Sequence, residues 1–234
     1  MSLLAATKLK ATTLLTIYAA ILLPMWAMFL VNNLALNEML SNIGGIHPRE
    51  FSFIGFIEIF TSWMFHGSGQ VGNPNSSIYD HILGNTLALL GLLLIVGLLE
   101  SKPFKLLALL IFGSGLATWV LGSSSAVHIG ASGLIFSIFG YVISSVIFGR
   151  RFIYLIPIFI MGGEYFYSLK MGLIPQEGVS FAAHLGGFIA GIVIGYYFNR
   201  KAKNEGSTYY KQTFKEKFQS KVWDIKYYFK QKFN

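Results

Sequence analysis

The chain has 234 residues, of which 54% are apolar and only 12% are charged, and it contains no cysteine. A soluble domain carries about 25% charged residues, so this composition, with a mean hydropathy of +0.58, predicts an all-α integral membrane protein with several spans. It excludes collagen-like, disordered and disulfide-bonded small folds. Thiol nucleophiles, thiolate metal sites and iron–sulfur clusters are also excluded, which leaves serine, histidine and carboxylate chemistry.

Six apolar segments are long enough to cross a hydrocarbon core, which takes roughly 20 helical residues. The first lacks a small-residue cleavage site and is predicted to be retained as a helix. Between Lys105 and Arg150 lie 44 uncharged residues, which the cluster 122–125 is expected to divide into a third and a fourth span. The other predicted spans are Leu14–Leu36, Ile82–Leu99, Phe152–Leu169, which Pro157 and Glu164 interrupt, and Val179–Phe198.

The distribution of lysine and arginine predicts how these spans are oriented. With six spans both termini share one side, and sixteen of the eighteen basic residues fall there, whereas only Arg49 and Lys170 fall opposite. Because basic residues concentrate on the cytoplasmic side of a membrane, both termini are expected in the cytoplasm. A six-helix core with no targeting presequence is typical of a multi-pass protein of a prokaryotic inner membrane.

Two segments outside the spans carry helix signals. The outer loop 1, Asn37–Asp80, is too long for a simple connector, and its apolar part Phe51–Phe65 is predicted to lie at the membrane interface. In the segment 200–234, ten basic residues face three acidic ones, and large apolar residues recur every three or four positions. This pattern predicts a cytoplasmic amphipathic C-terminal helix that binds the anionic inner leaflet of the bilayer. The positive charge is therefore not interpreted as a surface that binds nucleic acid. A solvated tail is the alternative.

The predicted organisation therefore has three parts. Residues 1–13 form a cytoplasmic N-terminus, residues 14–199 form a six-helix core, and residues 200–234 form the basic cytoplasmic tail.

Four polar side chains stand inside predicted spans, where such groups are costly and hence candidate functional groups. They are His81 and Asn85 at the start of the second helix, Ser132 at the start of the fourth and His184 in the sixth. All three helices descend from the outer surface, so their N-terminal parts are expected at one depth. A serine, a histidine and hydrogen-bond donors in one pocket that opens to the outer side favour acyl transfer. Taken singly, each residue is more often a packing group or an interhelical hydrogen bond.

Small residues indicate how the serine and the histidine could meet. Small side chains spaced four apart let two helix backbones approach closely, so the fourth and sixth helices are expected to be neighbours. Phe136, one turn below Ser132, is positioned to pack against the ring of His184. The small residues concerned are Gly130 and Gly133 beside the serine, and Gly187, Gly191 and Gly195 below the histidine.

Four motifs occur in a fixed order along the chain: Thr61–Gly67 in loop 1, His81–Asn85, Gly130–Phe136 and Ala183–Gly187. In order, spacing and topology this set resembles the rhomboid family of intramembrane serine proteases. The resemblance implies a six-transmembrane-helix rhomboid-like bundle that cleaves transmembrane segments of other proteins near their outer end. It also implies a site without cofactor or metal, in which Ser132 is the nucleophile, His184 the general base and acid, and the oxyanion hole consists of His81, Asn85 and the Ser132 backbone.

Two features depart from the family pattern. Ile57 and Glu58 stand where the family has a Trp-Arg pair, which normally anchors loop 1. The loop also carries extra residues between His66 and His81, including 72–75. Neither departure touches the predicted dyad.

Other functions are weighed against the protease. A non-proteolytic rhomboid-like protein that binds or escorts client transmembrane helices would typically lack the serine or the histidine, and this chain has both. A transporter would carry charged or broken helices near the midplane, and a metalloprotease would carry His-Glu-x-x-His, which is absent. His66 and His128 are interpreted as loop histidines near the pocket mouth.

Overall fold

A computed structural model describes residues 3–67, 77–160, 163–175 and 179–200. The prediction of an all-α protein is confirmed, since these residues contain no strand beyond a single bridge between Ile46 and His128. Two 3-10 turns, Ser62–Met64 and Phe152–Tyr154, accompany the α-helices. The helices are α1 Leu3–Leu34, α2 Met39–Gly44, α3 Phe53–Thr61, α4 Asp80–Leu99, α5 Pro103–Leu121, α6 Ser132–Ile147, α7 Leu155–Ile160, α8 Gly163–Gly172 and α9 Phe181–Arg200.

The chain divides into two units, Met1–Tyr196 and Tyr197–Asn234. All the predicted site residues belong to the first unit. Residues 201–234 of the predicted tail, and the extra loop residues 72–75, lie outside the described residues. The amphipathic tail helix and the three predicted domain boundaries therefore stay predictions.

Four helices are long and apolar enough to cross a membrane, namely the 9–34 part of α1, α4, α5 and α9. They correspond to the first, second, third and sixth predicted spans. Helix α6, the predicted fourth span, is apolar but has only 16 residues. In the predicted fifth span the structure describes α7 and α8, and residues 161–162 between them lie outside the described residues. The count of six spans stays a prediction.

Loop 1 contains a regular helix where the sequence pattern predicts one. Helix α3 begins after Ser52, whose side chain accepts a hydrogen bond from the backbone N–H of Gly55 at 2.9 Å, a normal N-terminal cap. One face of the helix is buried at Glu58 and Ile59, whereas Phe53 on another face is 79% exposed. Such an apolar outer face suits a helix that lies along the membrane surface.

A buried carboxylate, that of Glu100, connects several segments of the chain at the end of α4. The Glu100 carboxylate, at the end of α4, accepts hydrogen bonds from Arg151 at 2.9 Å and from the Tyr154 hydroxyl. The Lys10 ammonium donates to the Glu100 backbone carbonyl at 3.3 Å. A buried carboxylate needs such partners, because an unpaired charge away from water is costly. This cluster ties α1, α4 and the connection between α6 and α7 together.

Helix α6 is the central element of the core. Twelve of its 16 residues are buried, and α4 and α5 both pack against it, while α1 packs on α4. A helix that is covered on nearly every side needs apolar residues around its whole circumference. The sequence from Gly133 to Val142 provides them, with Ser137 donating its hydroxyl to the Leu110 carbonyl at 3.3 Å.

Helix α9 packs against α6 through direct backbone contact. A Cβ atom added to Gly187 or Gly191 would collide with the backbone of Gly133 or Ser137, respectively. One added to Gly140 would collide in the same way with the backbone of Phe188. Glycines from both helices therefore meet at the contact, which is the arrangement expected of small residues spaced four apart.

We predict that Gly191→Ala destabilises the protein, because the added methyl group must push α6 and α9 apart. The expected loss is about 1 to 3 kcal/mol of unfolding free energy, measured by chemical unfolding in detergent. Gly84→Ala in α4 is the matched control, since a Cβ there meets no heavy atom within 4 Å. It should keep or raise the stability by up to about 1 kcal/mol, because alanine favours helix. Equal stabilities of the two variants would contradict the contact.

Candidate active site

Ser132 is the first residue of α6 and is half-buried. The preceding turn contains Gly130 with φ +113, a conformation that residues with side chains rarely adopt. The Ser132 Oγ and the His81 Nε2 lie 3.8 Å and 4.0 Å, respectively, from the point where a Cβ on Gly130 would stand. Glycine at this position therefore shapes the turn and leaves open the space between the hydroxyl and the ring.

His184 lies in the first turn of α9 and is 7% exposed. Its Nδ1 lies 2.8 Å from the Gly172 carbonyl, which can only accept, so Nδ1 carries the proton and Nε2 is the basic nitrogen. The Phe136 ring stacks on the imidazole with centroids 4.3 Å apart and planes at 22°. A Cβ on Gly172 would lie 2.5 Å from the Phe136 ring. The ring of His184 is thus held in one orientation and one tautomer.

The segments that carry Ser132 and His184 are in contact. A Cβ on Gly133 would lie 3.6 Å from the carbonyl oxygen of Ala183, and these two residues adjoin the serine and the histidine. Within the described part of the chain, the Ser132 Oγ makes no hydrogen bond. Catalytic hydrogen bonds are often long in free enzymes and shorten when substrate binds, so this geometry is compatible with a dyad.

Asn85 and His66 join α4 to the start of α6. The Nδ2 atom of Asn85 lies 2.9 Å from His66 Nε2, and the Ala131 backbone N–H donates to the same nitrogen at 3.2 Å. His81 is exposed, and its ring meets that of His66 edge-on at 5.6 Å. His66 is therefore a structural partner of the site, although its position in the sequence favours a loop histidine. Its place in the Thr61–Gly67 motif marks the residue but does not identify these partners.

Loop 1 also holds the segment before Ser132 through backbone bonds. The Gly130 N–H donates to the Ser62 carbonyl at 3.1 Å, and His128 exchanges two hydrogen bonds with Ile46, at 2.9 Å and 3.0 Å. Together with the bond from Ala131 to His66, these contacts hold residues 128–131 against loop 1. The segment that leads into Ser132 is thus held in place before α6 begins.

Glu58 anchors loop 1 in place of the expected Trp-Arg pair. Its carboxylate is 3% exposed and accepts a hydrogen bond from the His47 backbone N–H at 2.9 Å. The His47 Nδ1 lies 2.9 Å from the other carboxylate oxygen. The anchor is therefore a carboxyl side chain that binds the residue next to Ile46, where the family pattern has an arginine.

Only one group of metal-ligand type occurs among the described residues. His47, Glu50 and Glu58 place possible ligand atoms within 4.8 Å of one another. Both oxygens of Glu58 are already bound to His47, and Glu50 accepts from the Ser52 hydroxyl at 3.0 Å. The group contains none of the predicted site residues, and the candidate chemistry makes no use of it.

Burial lowers the pKa of His66 to about 3, with a smaller contribution from His81, while the Met64 carbonyl opposes the shift. The ring is therefore neutral at physiological pH, as its role as an acceptor for the Ala131 N–H requires. Because the ordinary value is 6.5, the unfolded chain binds a proton more readily than the folded one between these two values. His66 hence contributes stability that is fully present above about pH 6.5 and is lost as the pH falls toward 3.

We predict that His66→Gln makes the free energy of unfolding less dependent on pH below neutrality. Glutamine keeps an acceptor near the Ala131 N–H but does not titrate, so its unfolding free energy should fall less steeply than that of the wild type below about pH 6.5. Chemical unfolding in detergent at several values between about pH 7.5 and about pH 4.5 measures the two slopes. Parallel curves would contradict the assignment of this acid sensitivity to His66.

Known proteins resemble part of the chain. The uncharacterized protein Rv1337 of Mycobacterium tuberculosis is 32% identical over 143 residues, which cover 53% of this chain and 57% of that protein. The uncharacterized protein ML1171 of Mycobacterium leprae is 33% identical over 132 residues, which cover 50% of each chain. The chain thus spans about half the length of the curated relatives it matches.

A family model describes most of the helical core. The model of the Rhomboid domain matches residues 56–201, more than half of the chain. The matched range begins within α3 and includes the predicted site residues on α4, α6 and α9. The chain therefore belongs to the Rhomboid family.

Proposed function

We propose that the protein is an intramembrane serine endopeptidase that cleaves transmembrane segments of other membrane proteins near their outer end. The observation that supports the proposal most directly is the tautomer of His184. Its Nδ1 is committed to the Gly172 carbonyl at 2.8 Å, so the basic Nε2 is the nitrogen available on a helix that touches the start of α6. A serine beside such a histidine is the arrangement that acyl transfer requires.

In the proposed reaction, Ser132 Oγ attacks the carbonyl carbon of the scissile bond while His184 Nε2 takes the hydroxyl proton. The tetrahedral intermediate then expels the amine, which receives that proton from His184, and an acyl-enzyme forms. Water then attacks this ester while His184 takes its proton, and the second intermediate expels the Ser132 oxygen, which regains that proton from His184 as the new carboxylic acid is released. No cofactor or metal takes part, because each step moves one proton between the dyad and the substrate.

The negative oxygen of the intermediate needs hydrogen-bond donors that are already in place. The Ser132 backbone N–H lies at the N-terminus of α6, where the unpaired amides and the helix dipole favour negative charge. The Nε2 of His81 lies 4.0 Å from the point where a Cβ on Gly130 would stand, almost as close as the Ser132 Oγ at 3.8 Å. Asn85 can give one amide hydrogen to His66 and keep the other for the oxyanion, since its NH₂ group has two donors.

The proposed substrate follows from the same chemistry. Attack on a peptide carbonyl requires an extended backbone, whereas a transmembrane segment is helical, so the substrate should unwind easily near its outer end. The proposed setting is a prokaryotic inner membrane with both termini in the cytoplasm and the site facing outward. An anionic inner leaflet would bind the basic tail.

We predict that a fluorophosphonate probe labels the purified wild-type protein in detergent and that Ser132→Ala abolishes the labelling. His184→Ala should lower both labelling and cleavage of a single-span substrate by at least about 10³-fold, because the serine then lacks its base. Ser137→Ala on the same helix is the control and should retain labelling. Cleavage that persists in Ser132→Ala, or a wild type that neither labels nor cleaves, would refute the protease. In the second case the client-binding alternative takes its place.

The proposed orientation predicts which introduced cysteines can be labelled from outside the cell. Single cysteines can be introduced without background labelling, because the sequence contains none. Ser125, between α5 and α6, and Ser101, between α4 and α5, are both exposed and lie at opposite ends of α5. In intact cells a membrane-impermeant maleimide should label Ser125→Cys, whereas Ser101→Cys should react only after lysis. The reverse pattern would overturn the proposed orientation.

A further inference from the structure

A second pair of serine and histidine lies beside the candidate dyad. His128 is 8% exposed, and its Nδ1 lies 2.6 Å from the Ser180 hydroxyl. Its Nε2 lies 3.2 Å from the Ser123 carbonyl, which can only accept a hydrogen bond. In the neutral ring the proton is therefore on Nε2, and Nδ1 accepts from the Ser180 O–H. Burial lowers the pKa of His128, which is consistent with a neutral ring.

Ser180 holds the first turn of α9. Its Oγ accepts a hydrogen bond from the Ala183 N–H at 3.2 Å, which is the bond of an N-terminal cap. Its backbone carbonyl accepts from the N–H of His184 at 3.1 Å. The backbone position of His184 thus depends directly on the position of Ser180.

His128 belongs to the segment that leads into Ser132. Its backbone is paired with Ile46, and the next residues of the segment are bound to loop 1 through Gly130. His128 precedes the serine by four residues, as Ser180 precedes His184 by four. The hydrogen bond between their side chains therefore links the two catalytic segments above the backbone contact of α6 and α9.

We propose that His128 and Ser180 are positioning residues that set the separation between the Ser132 hydroxyl and the His184 ring. The inference rests on the proposed protease function and extends it. Neither residue takes or gives a proton in the reaction. Because a misplacement of about 1 Å can cost about 100-fold in rate, the loss of this link should act on the chemical step and leave substrate binding nearly unchanged.

The experiment measures kcat and KM for a single-span substrate in detergent, with thermal unfolding of each variant. His128→Phe removes the link but keeps the cap on α9, whereas Ser180→Ala removes both. Each should lower kcat by at least about 10-fold with KM within about twofold. Ser180→Thr keeps the hydroxyl and the cap and should stay within about twofold of the wild type. Ser125→Ala, an exposed serine of the same loop, is the matched control.

The double variant decides between a link and two separate effects. If the hydrogen bond is what matters, His128→Phe with Ser180→Ala should lose no more kcat than the worse single variant. Additive losses, a normal kcat in His128→Phe, or a change confined to KM would each overturn the proposal. His128→Gln, whose amide can still accept and donate, should recover part of kcat, and it replaces His128→Phe if that variant does not fold.

The wild type and Ser132→Ala separate this proposal from the function on which it rests. An active wild type with an inactive Ser132→Ala and a normal His128→Phe refutes the positioning pair alone. A wild type that neither cleaves nor labels refutes the protease and the positioning pair together.

Discussion

The backbone contact between α6 and α9 is the constraint on which the candidate site depends. Two helices approach this closely where at least one of them lacks a Cβ at the contact, and here Gly187 and Gly191 on α9 meet the backbone of Gly133 and Ser137 on α6. Ser132 adjoins the first contact on one helix, and His184 lies three residues before Gly187 on the other. Van der Waals packing and close approach, rather than polar bonds, therefore bring together the segments that carry Ser132 and His184.

A second constraint acts at the outer end of the same helices. The turn before α6 leaves backbone N–H groups without helical partners, and loop 1 accepts from them through the Ser62 carbonyl and the His66 ring. Glu58 in turn holds the strand-like segment at Ile46 that pairs with His128. The position of the serine thus depends on a loop whose own anchor is a buried acid, so loop 1 is part of the site's framework.

How much the sequence could predict follows from the range of the interactions. The contact of α6 with α9 could be predicted from the sequence, because glycines spaced four apart are recognisable within the sequence of a single helix. The packing of Phe136 on His184 followed from the same alignment of two helices. The role of His66 was not accessible, because its partners Asn85 and Ala131 lie 19 and 65 positions away and no local pattern identifies them.

The hydrogen bonds of the five histidines explain which of them are left for chemistry. His66 faces two donors through Nε2, His128 uses both ring nitrogens, and His47 is paired with Glu58.

His184 uses Nδ1 alone, and His81 makes a ring contact with His66 and, within the described residues, no hydrogen bond through its side chain. An imidazole can act as a base or donate to an oxyanion only through a nitrogen that the fold does not already use. The two histidines that meet this condition inside predicted spans are the two on α4 and α9, beside the serine. His47 and His66 also keep one ring nitrogen each, but both lie in loop 1, whereas His81 and His184 stand in the first turns of α4 and α9. The hydrogen-bond partners and the place in the fold together therefore leave His81 and His184 as the candidate reactive histidines.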